Sequence, residues 1–219
     1  MATGLVVFDC DGVLVDSERL NVRTWGRMTT DLGLRLTPAE IIDTFVGKAY
    51  ADNRVTLAAL KGSPLDPDWE RRFRTEFRAS HDELEIVAGA REAVEGCLAA
   101  GYDICVASGS LRRALEYKLE ATGLADLLPE ELRFSSQEVE RGKPAPDVFL
   151  HAASAMGYAP HRCVVVEDSL AGIEAGRAAG MHVIGYESDM TPHAWFADAD
   201  LVLTDMARVP AAVTGLLAG

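Results

Sequence analysis

Two rhythms of apolar and polar residues divide the chain. Near its start Leu5-Val6-Val7-Phe8 is an unbroken apolar run with no polar alternation, which predicts a strand buried on both faces. After Ser17 the rhythm becomes helical. Leu20, Thr24, Trp25, Met28 and Leu32 recur at helical spacing, and Gly33 is a plausible C-cap. Thr37-Pro38-Ala39-Glu40 carries a capping Thr, a Pro at the first position and a Glu three residues on, so a helix starts there and runs through Phe45 to Gly47. Further helices are expected from Ala49 to Leu60, before Gly62-Ser63-Pro64, and from Asp66 through Trp69, Phe73 and Phe77 to His81. No strand interrupts these four helices.

From Gly89 onward helix and strand alternate. Ala90, Ala93, Val94, Cys97 and Leu98 mark a helix face, and Tyr102–Ala107 reads as a strand that breaks at Ser108-Gly109-Ser110. A helix bearing Leu111, Ala114, Leu115 and Leu119 precedes a weak strand at Leu132–Phe134. Another, with Val148, Phe149, Ala152, Ala153 and Met156, leads to the strand Cys163–Val166. Ser169 is placed to cap a helix ending near Ala179, and His182–Ile184 and Leu201–Leu203 are the last strands. Gly172 and Gly176, four apart on that helix, suggest close helix packing. The strand–helix repetition predicts an α/β fold, a doubly wound parallel sheet of the Rossmann type. Residues 1–16 and 87–219 make up this core, and residues 17–86 are expected to form an inserted four-helix cap domain.

Composition narrows the function classes. The chain has 219 residues, enough for one core plus a small insertion, and 48% apolar with 25% charged residues suits an ordered globule. No apolar stretch approaches the roughly 20 residues that span a bilayer, and no signal peptide is visible. Cys10, Cys97, Cys105 and Cys163 show no C-x-x-C spacing, which fits reduced thiols in a cytoplasmic protein. A net charge of −13 argues against nucleic acid or anionic membrane as partners. Residues 17–86 hold 11 of the 21 basic and 12 of the 34 acidic residues, so the excess of acid lies almost wholly in the core. A less repulsive segment facing an anionic substrate is one reading; solvated helix faces are the other.

The polar residues that stand out follow strand ends. Asp9 and Asp11 follow the first strand, Ser108 and Gly109 the second, and Glu167 and Asp168 the fourth, while Lys143 precedes a Pro-started helix. Parallel strands bring their carboxyl ends to one edge, where open α/β sheets bind ligands. Taken singly, Ser108 or Ser110 could cap a helix, Lys143 could be solvated, and Asp168 could cap while Glu167 faces solvent. Together they suggest a site. Crowded carboxylates call for a hard cation, and Mg²⁺ suits oxygen ligands and phosphate. Asp9, Glu167 and Asp168 would be balanced by Mg²⁺ and Lys143. Ser108 and the Gly109 amide are natural phosphate donors. One carboxylate can attack phosphorus to form an aspartyl-phosphate, and the second can carry the proton.

Phe8-Asp9-Cys10-Asp11-Gly12-Val13-Leu14-Val15-Asp16-Ser17-Glu18 resembles the first motif of the haloacid dehalogenase superfamily. Ala107–Ser110, Gly142-Lys143-Pro144-Ala145-Pro146-Asp147 and Val166–Gly172 resemble its second, third and fourth. Within the superfamily the chain looks like the β-phosphoglucomutase-like phosphatases, which insert a small helical cap between the first two motifs. The resemblance implies that Asp9 is nucleophile and metal ligand, and that Asp11 is acid/base and contacts the metal through its carbonyl. It implies that Ser108 and Lys143 bind the phosphoryl group. Asp168 would be a direct ligand, and Glu167 would reach Mg²⁺ directly or through water. Asp16 would be structural.

Departures from subfamily patterns sharpen the expectation. An acid at Asp11 argues against the dehalogenases and the phosphonoacetaldehyde hydrolases. Asn21 stands where the mutases have a cap histidine, and Lys48-Ala49-Tyr50 where they have a phosphate-gripping arginine. A lysine there is a point charge without a bidentate fork, which favours hydrolysis over mutase chemistry. The expectation is a monomeric Mg²⁺-dependent phosphatase of a small phosphorylated metabolite, a sugar or sugar-acid phosphate. Lys48 is its candidate specificity residue, with Arg19 and Arg23 behind it. The alternatives are a hexose-phosphate mutase and a non-catalytic module that binds a phosphorylated ligand. Trp25, Trp69 and Phe73 read as cap packing, and the five histidines form no ligand-like cluster.

Overall fold

The computed structural model describes residues 4–46, 50–80 and 83–218. Six strands, β1 (Leu5–Phe8), β2 (Asp103–Ser108), β3 (Arg133–Ser135), β4 (Cys163–Glu167), β5 (His182–Tyr186) and β6 (Leu201–Leu203), form one parallel sheet. Their order is β3-β2-β1-β4-β5-β6. All four residues of β1 are buried, as a continuous apolar run flanked on both edges requires. Phe8 is in register with Val106 on one side and Val166 on the other. The chain runs outward from β1 to β3, then crosses back to β4 and continues the other way. The reversal lies beside β1, and such a switch point is where open sheets bind ligands.

Nine helices among the described residues complete the chain. In sequence order α1 (Ser17–Asp31), α2 (Pro38–Phe45), α3 (Tyr50–Lys61) and α4 (Pro67–Ser80) precede α5 (Ala90–Ala99) and α6 (Arg112–Ala121). Then come α7 (Asp147–Met156), α8 (Leu170–Ala178) and α9 (Val209–Leu217). Helices α7 and α8 lie on one face of the sheet, where Val148, Phe149, Ala152 and Ile173 pack on Leu5, Val7, Val165 and Val183. Helices α5 and α9 pack on each other, α5 on β2 and α9 on β4 and β5. Helix α9 has no counterpart among the expectations from sequence. Pro210 in its first turn and the buried Val209 and Val213 are its local signals.

The chain separates into two compact units, Met1–Asp16 with Glu85–Gly219, and Ser17–Leu84. The outgoing and returning chains pair where they leave the sheet unit. Asp16 N–H donates to Glu85 O at 2.9 Å, and Val87 N–H donates to Leu14 O at 3.0 Å. The return therefore begins at Glu85, two residues before 87.

Within the helical unit local signals set the helix ends. Thr37 and Glu40 form a reciprocal capping box, with Thr37 N–H donating to Glu40 Oε2 at 2.7 Å and Glu40 N–H to Thr37 Oγ1 at 3.3 Å. Gly33 takes a φ of +78°, and Leu34 N–H closes onto Thr29 O at 3.0 Å, which stops α1. Trp25 stacks on Phe45 with ring centres 4.3 Å apart, and Phe73 packs against both Trp25 and Trp69. These rings are the apolar centre of the unit. Arg23 pairs with Glu83 at 3.7 Å on an exposed face, and Asn21 donates to Glu18 at 3.4 Å within α1. Lys48 and His81 lie outside the described residues. Among the described residues no helix is long and apolar enough to cross a membrane.

Candidate active site

Asp9 is the first residue past β1, and its N–H still donates to Val166 O at 2.9 Å, so strand pairing fixes its backbone. Its carboxylate is almost wholly buried. Lys143 reaches it from the loop before α7, with Nζ 2.5 Å from Asp9 Oδ1. The same ammonium donates to Glu167 Oε1 at 2.7 Å and to Ala107 O at 3.1 Å, and it lies 4.6 Å above the Phe149 ring. An ammonium has three donors, and here all three are used. Lys143 thus ties together the ends of β1, β2 and β4 and holds the Asp9 charge. A phosphate oxygen would take up one of its donors by exchange.

Glu167 does not face solvent; it is 1% exposed. Its second oxygen accepts from Ser169 N–H at 2.8 Å and Ser169 Oγ–H at 2.9 Å. Ser169 Oγ in turn caps α8 by accepting from Gly172 N–H at 3.1 Å. A Cβ on Gly172 would lie 1.8 Å from Glu167 Oε1. Gly172 therefore makes room for a carboxylate, which corrects the helix-packing expectation. Gly176 does serve packing, since its Cβ would press on Val183 at 2.7 Å and Val165 at 3.5 Å.

Asp168 is also buried, and Ser169 rather than Asp168 caps α8. Its carboxylate lies against the backbone of Gly12, where a Cβ would meet Asp168 Oδ2 at 1.9 Å. Gly12 also takes a φ of +78°, so both its conformation and the approach of Asp168 demand glycine. The loop after β2 completes this edge. Ser108 is fully buried and its Oγ accepts from Ser110 N–H at 3.0 Å, a bond that leaves its hydroxyl proton for another partner. Gly109 is exposed, and its carbonyl accepts from Ser136 Oγ at 2.7 Å.

Asp11 has partners that the motif pattern does not reveal. Lys118, on α6, places Nζ 2.5 Å from Asp11 Oδ1 and 2.9 Å from Ser110 Oγ, and Ser110 Oγ–H donates to Asp11 Oδ2 at 2.9 Å. The immediate neighbour of Asp11 is a cation, so the crowding by negative charge expected around it is largely answered.

A family model of haloacid dehalogenase-like hydrolases matches residues 3–180. The chain belongs to that family. It is 33% identical over 197 residues to 6-phosphogluconate phosphatase of Escherichia coli K12, covering 86% of this chain and 83% of that one. It is 28% identical over 241 residues to β-phosphoglucomutase of Mycobacterium bovis, covering 93% and 90%. A crystal structure of a haloacid dehalogenase family hydrolase from Deinococcus radiodurans R1, with bound phosphate and sodium, superposes with a TM-score of 0.86 at 34% identity, covering 97% of this chain and 96% of that one.

The electrostatics of this haloacid dehalogenase-like site follow from burial. Asp9, Asp11 and Glu167 pair with two ammonium groups, Lys118 and Lys143, and with the buried Asp168 the formal charge is −2 when all four acids are ionised. Burial pushes the Asp9 carboxyl from its ordinary 3.8 up to about 7, Lys143 opposing and Glu167 and Asp11 adding to the rise. Burial also works against the charge on Lys143, but the attractions of Asp9 and Glu167 outweigh it and raise its pKa. Lys118 behaves alike, with burial opposed chiefly by Asp11, and settles at about 12. All four cysteines are free and buried, and burial pushes Cys97 up to about 12 and Cys163 to about 11, which keeps them as inert thiols.

A divalent cation fits this donor set. It would cancel the residual charge, and Mg²⁺ commonly uses one or two carboxylates completed by water and phosphate. Asp9 and Asp168 are buried carboxylates that could hold it, and the resemblance adds the Asp11 carbonyl. Glu167 is already committed to Lys143 and Ser169. Among the described residues no three His, Cys, Asp or Glu side chains form a ready-made cluster.

Lys118 is the residue that motif reading misses. Its signal is a lysine three residues after Leu115 and one before Leu119, on the stripe that α6 buries.

Proposed function

We propose that this hydrolase is a Mg²⁺-dependent phosphatase acting on a small phosphorylated metabolite of the sugar or sugar-acid class. The observation that carries the reading is the bridge from Lys143 to Asp9 and Glu167 at the switch point of the sheet. It presents one buried, charge-compensated carboxylate, with a second acid two residues on. The 33% identity to a 6-phosphogluconate phosphatase supports a sugar-acid phosphate as the first substrate to try.

In this mechanism an oxygen of Asp9 attacks phosphorus while the ester P–O bond breaks, giving an aspartyl-phosphate and a departing alkoxide that takes a proton from Asp11. Water then attacks phosphorus, Asp11 recovers a proton from it, and the Asp9–phosphorus bond breaks to release phosphate. Lys143 opposes the protonation of Asp9 that burial favours. The Ser108 hydroxyl and the Gly109 N–H are the donors assigned to the phosphoryl oxygens. Asp9, Asp168 and the Asp11 carbonyl would hold Mg²⁺, which would supply positive charge against the charge that gathers on those oxygens. Glu167 acts by orienting Lys143 and would reach the ion directly or through water.

The helical unit is assigned the role of a cap that selects the substrate, with Lys48 as its candidate contact. The identity to a β-phosphoglucomutase supports a second reading, transfer of the phosphoryl group within a hexose phosphate. One experiment separates the two. Purified protein with Mg²⁺ is incubated with 6-phosphogluconate and β-glucose 1-phosphate, and free phosphate and glucose 6-phosphate are both measured. Free phosphate supports hydrolysis, glucose 6-phosphate supports the mutase, and neither product leaves a binding module as the better reading.

A further inference from the structure

We propose that Lys118 is a positioning residue, fixing with Ser110 the orientation from which Asp11 passes its proton to the leaving group. The inference rests on the phosphatase reading, in which Asp11 is the proton carrier. The side chain of Lys118 is 8% exposed, and a buried ammonium is costly unless paired and hydrogen-bonded. It spends its donors on Asp11 Oδ1 at 2.5 Å and Ser110 Oγ at 2.9 Å. Ser110 Oγ–H reaches Asp11 Oδ2 at 2.9 Å, so both oxygens of one carboxyl are held from a single side.

The clamp has a rigid base. Ser110 N–H is held by Ser108 Oγ at 3.0 Å, and Ser110 O accepts from Ser135 Oγ–H at 2.7 Å, which anchors the hydroxyl to β3. The Asp11 side chain keeps 24% of its surface exposed. The clamp therefore restrains its direction without burying it. A hydroxyl can donate or accept, so Ser110 stays bound to Asp11 before and after the proton moves. A tie between α6 and the β1 loop made only for stability would not need an ion pair, since apolar pairs of similar volume serve as well or better. The pair sits instead on the one acid placed two residues after the nucleophile.

The step served is a proton transfer: the P–O bond to the leaving group breaks, its electron pair stays on oxygen, and the Asp11 proton goes to that oxygen. An ester whose leaving oxygen needs no proton should be nearly indifferent to the clamp. The test compares Lys118→Met with the wild type on 6-phosphogluconate and phenyl phosphate, which have basic leaving oxygens, and on 4-nitrophenyl phosphate, which does not. Lys118→Met is expected to lose about 10²-fold or more in kcat/KM on the first two, and less than about 10-fold on the third. Ser110→Ala should show the same split at smaller size, and it decides the matter if Lys118→Met does not fold. Equal losses on all three esters would overturn the positioning role while leaving the phosphatase reading in place. A wild type that releases phosphate from none of them would overturn the phosphatase reading, and this inference with it.

Discussion

A Cβ on Gly172 would lie 1.8 Å from Glu167 Oε1, so the first turn of α8 and the carboxylate that ends β4 occupy one space only because that residue is glycine. Gly172→Ala would gain about 1 kcal/mol of helix propensity. It would also push Glu167 off Lys143 and Ser169, bonds to a charged group worth about 1.5–3 kcal/mol each. The loss outweighs the gain. Urea unfolding is expected to show a net destabilisation of about 1–3 kcal/mol, and phosphate release should fall with it because Lys143 loses a partner. An unchanged unfolding midpoint would contradict this geometry.

Gly12→Ala tests the other close approach. The φ of +78° strains any L-residue, and the new Cβ would displace Asp168 Oδ2. If Asp168 holds Mg²⁺, calorimetric titration should show Mg²⁺ affinity falling about 10-fold or more, with a smaller effect on phosphate binding. Equal Mg²⁺ affinity in the two proteins would remove Asp168 from the ligand set.

Lys143→Met should destabilise the fold in a pH-dependent way. Without the ammonium, Asp9 and Glu167 are left as buried like charges, a loss of the order of 3–5 kcal/mol when both are ionised. The Asp9 carboxyl already stands near 7 instead of its ordinary 3.8, so the folded protein holds a proton there that the unfolded chain releases. Such a group favours the fold at low pH, and that advantage is lost as pH rises from about 4 through about 7. Removing Lys143 pushes Asp9 further the same way. Below about pH 7 both folded proteins hold that proton, so the stability gap between wild type and variant should stay level there and widen as pH rises above about 7; a constant gap across that rise would be inconsistent with the Asp9–Lys143 pair.

Mg²⁺ binding should show the reverse dependence. If Asp9 is a ligand, the cation must displace its proton below about pH 7, so affinity should drop up to 10-fold for each unit of pH below that point. In thermal unfolding, Mg²⁺ is expected to raise Tm clearly at about pH 8 and little at about pH 5.5. EDTA should abolish phosphate release.

Asp9→Asn removes one buried charge and leaves Lys143 paired with Glu167, so the variant should fold. Its turnover should vanish, because an amide oxygen does not form the acyl-phosphate. Asp11→Asn should lose about 10²–10⁴-fold on esters with basic leaving oxygens. Normal turnover in Asp9→Asn would end the covalent mechanism.

Local chemistry made much of this legible. The unbroken apolar run Leu5–Phe8 could only be a strand covered on both faces, and Thr37 with Glu40 announced the start of α2 within four residues. Ser169 did the same for α8. Such signals depend on neighbours in sequence, and the conformation follows directly from them. The acids of the motifs also stood out, because hydrophobic strands end in them abruptly.

What the tertiary structure decided were distances between residues far apart in the chain. Gly172 looks like a helix-packing glycine until the Glu167 side chain is seen in its place. Lys118 looks like one more charge on an amphipathic helix, and 107 positions separate it from Asp11. The sequence by itself determined the strands, most of the helices and which residues end at the active edge of the sheet, because periodicity and capping are local. Only the fold decided which cation holds which acid. Pairing across a sheet depends on strand order, and strand order leaves no local mark.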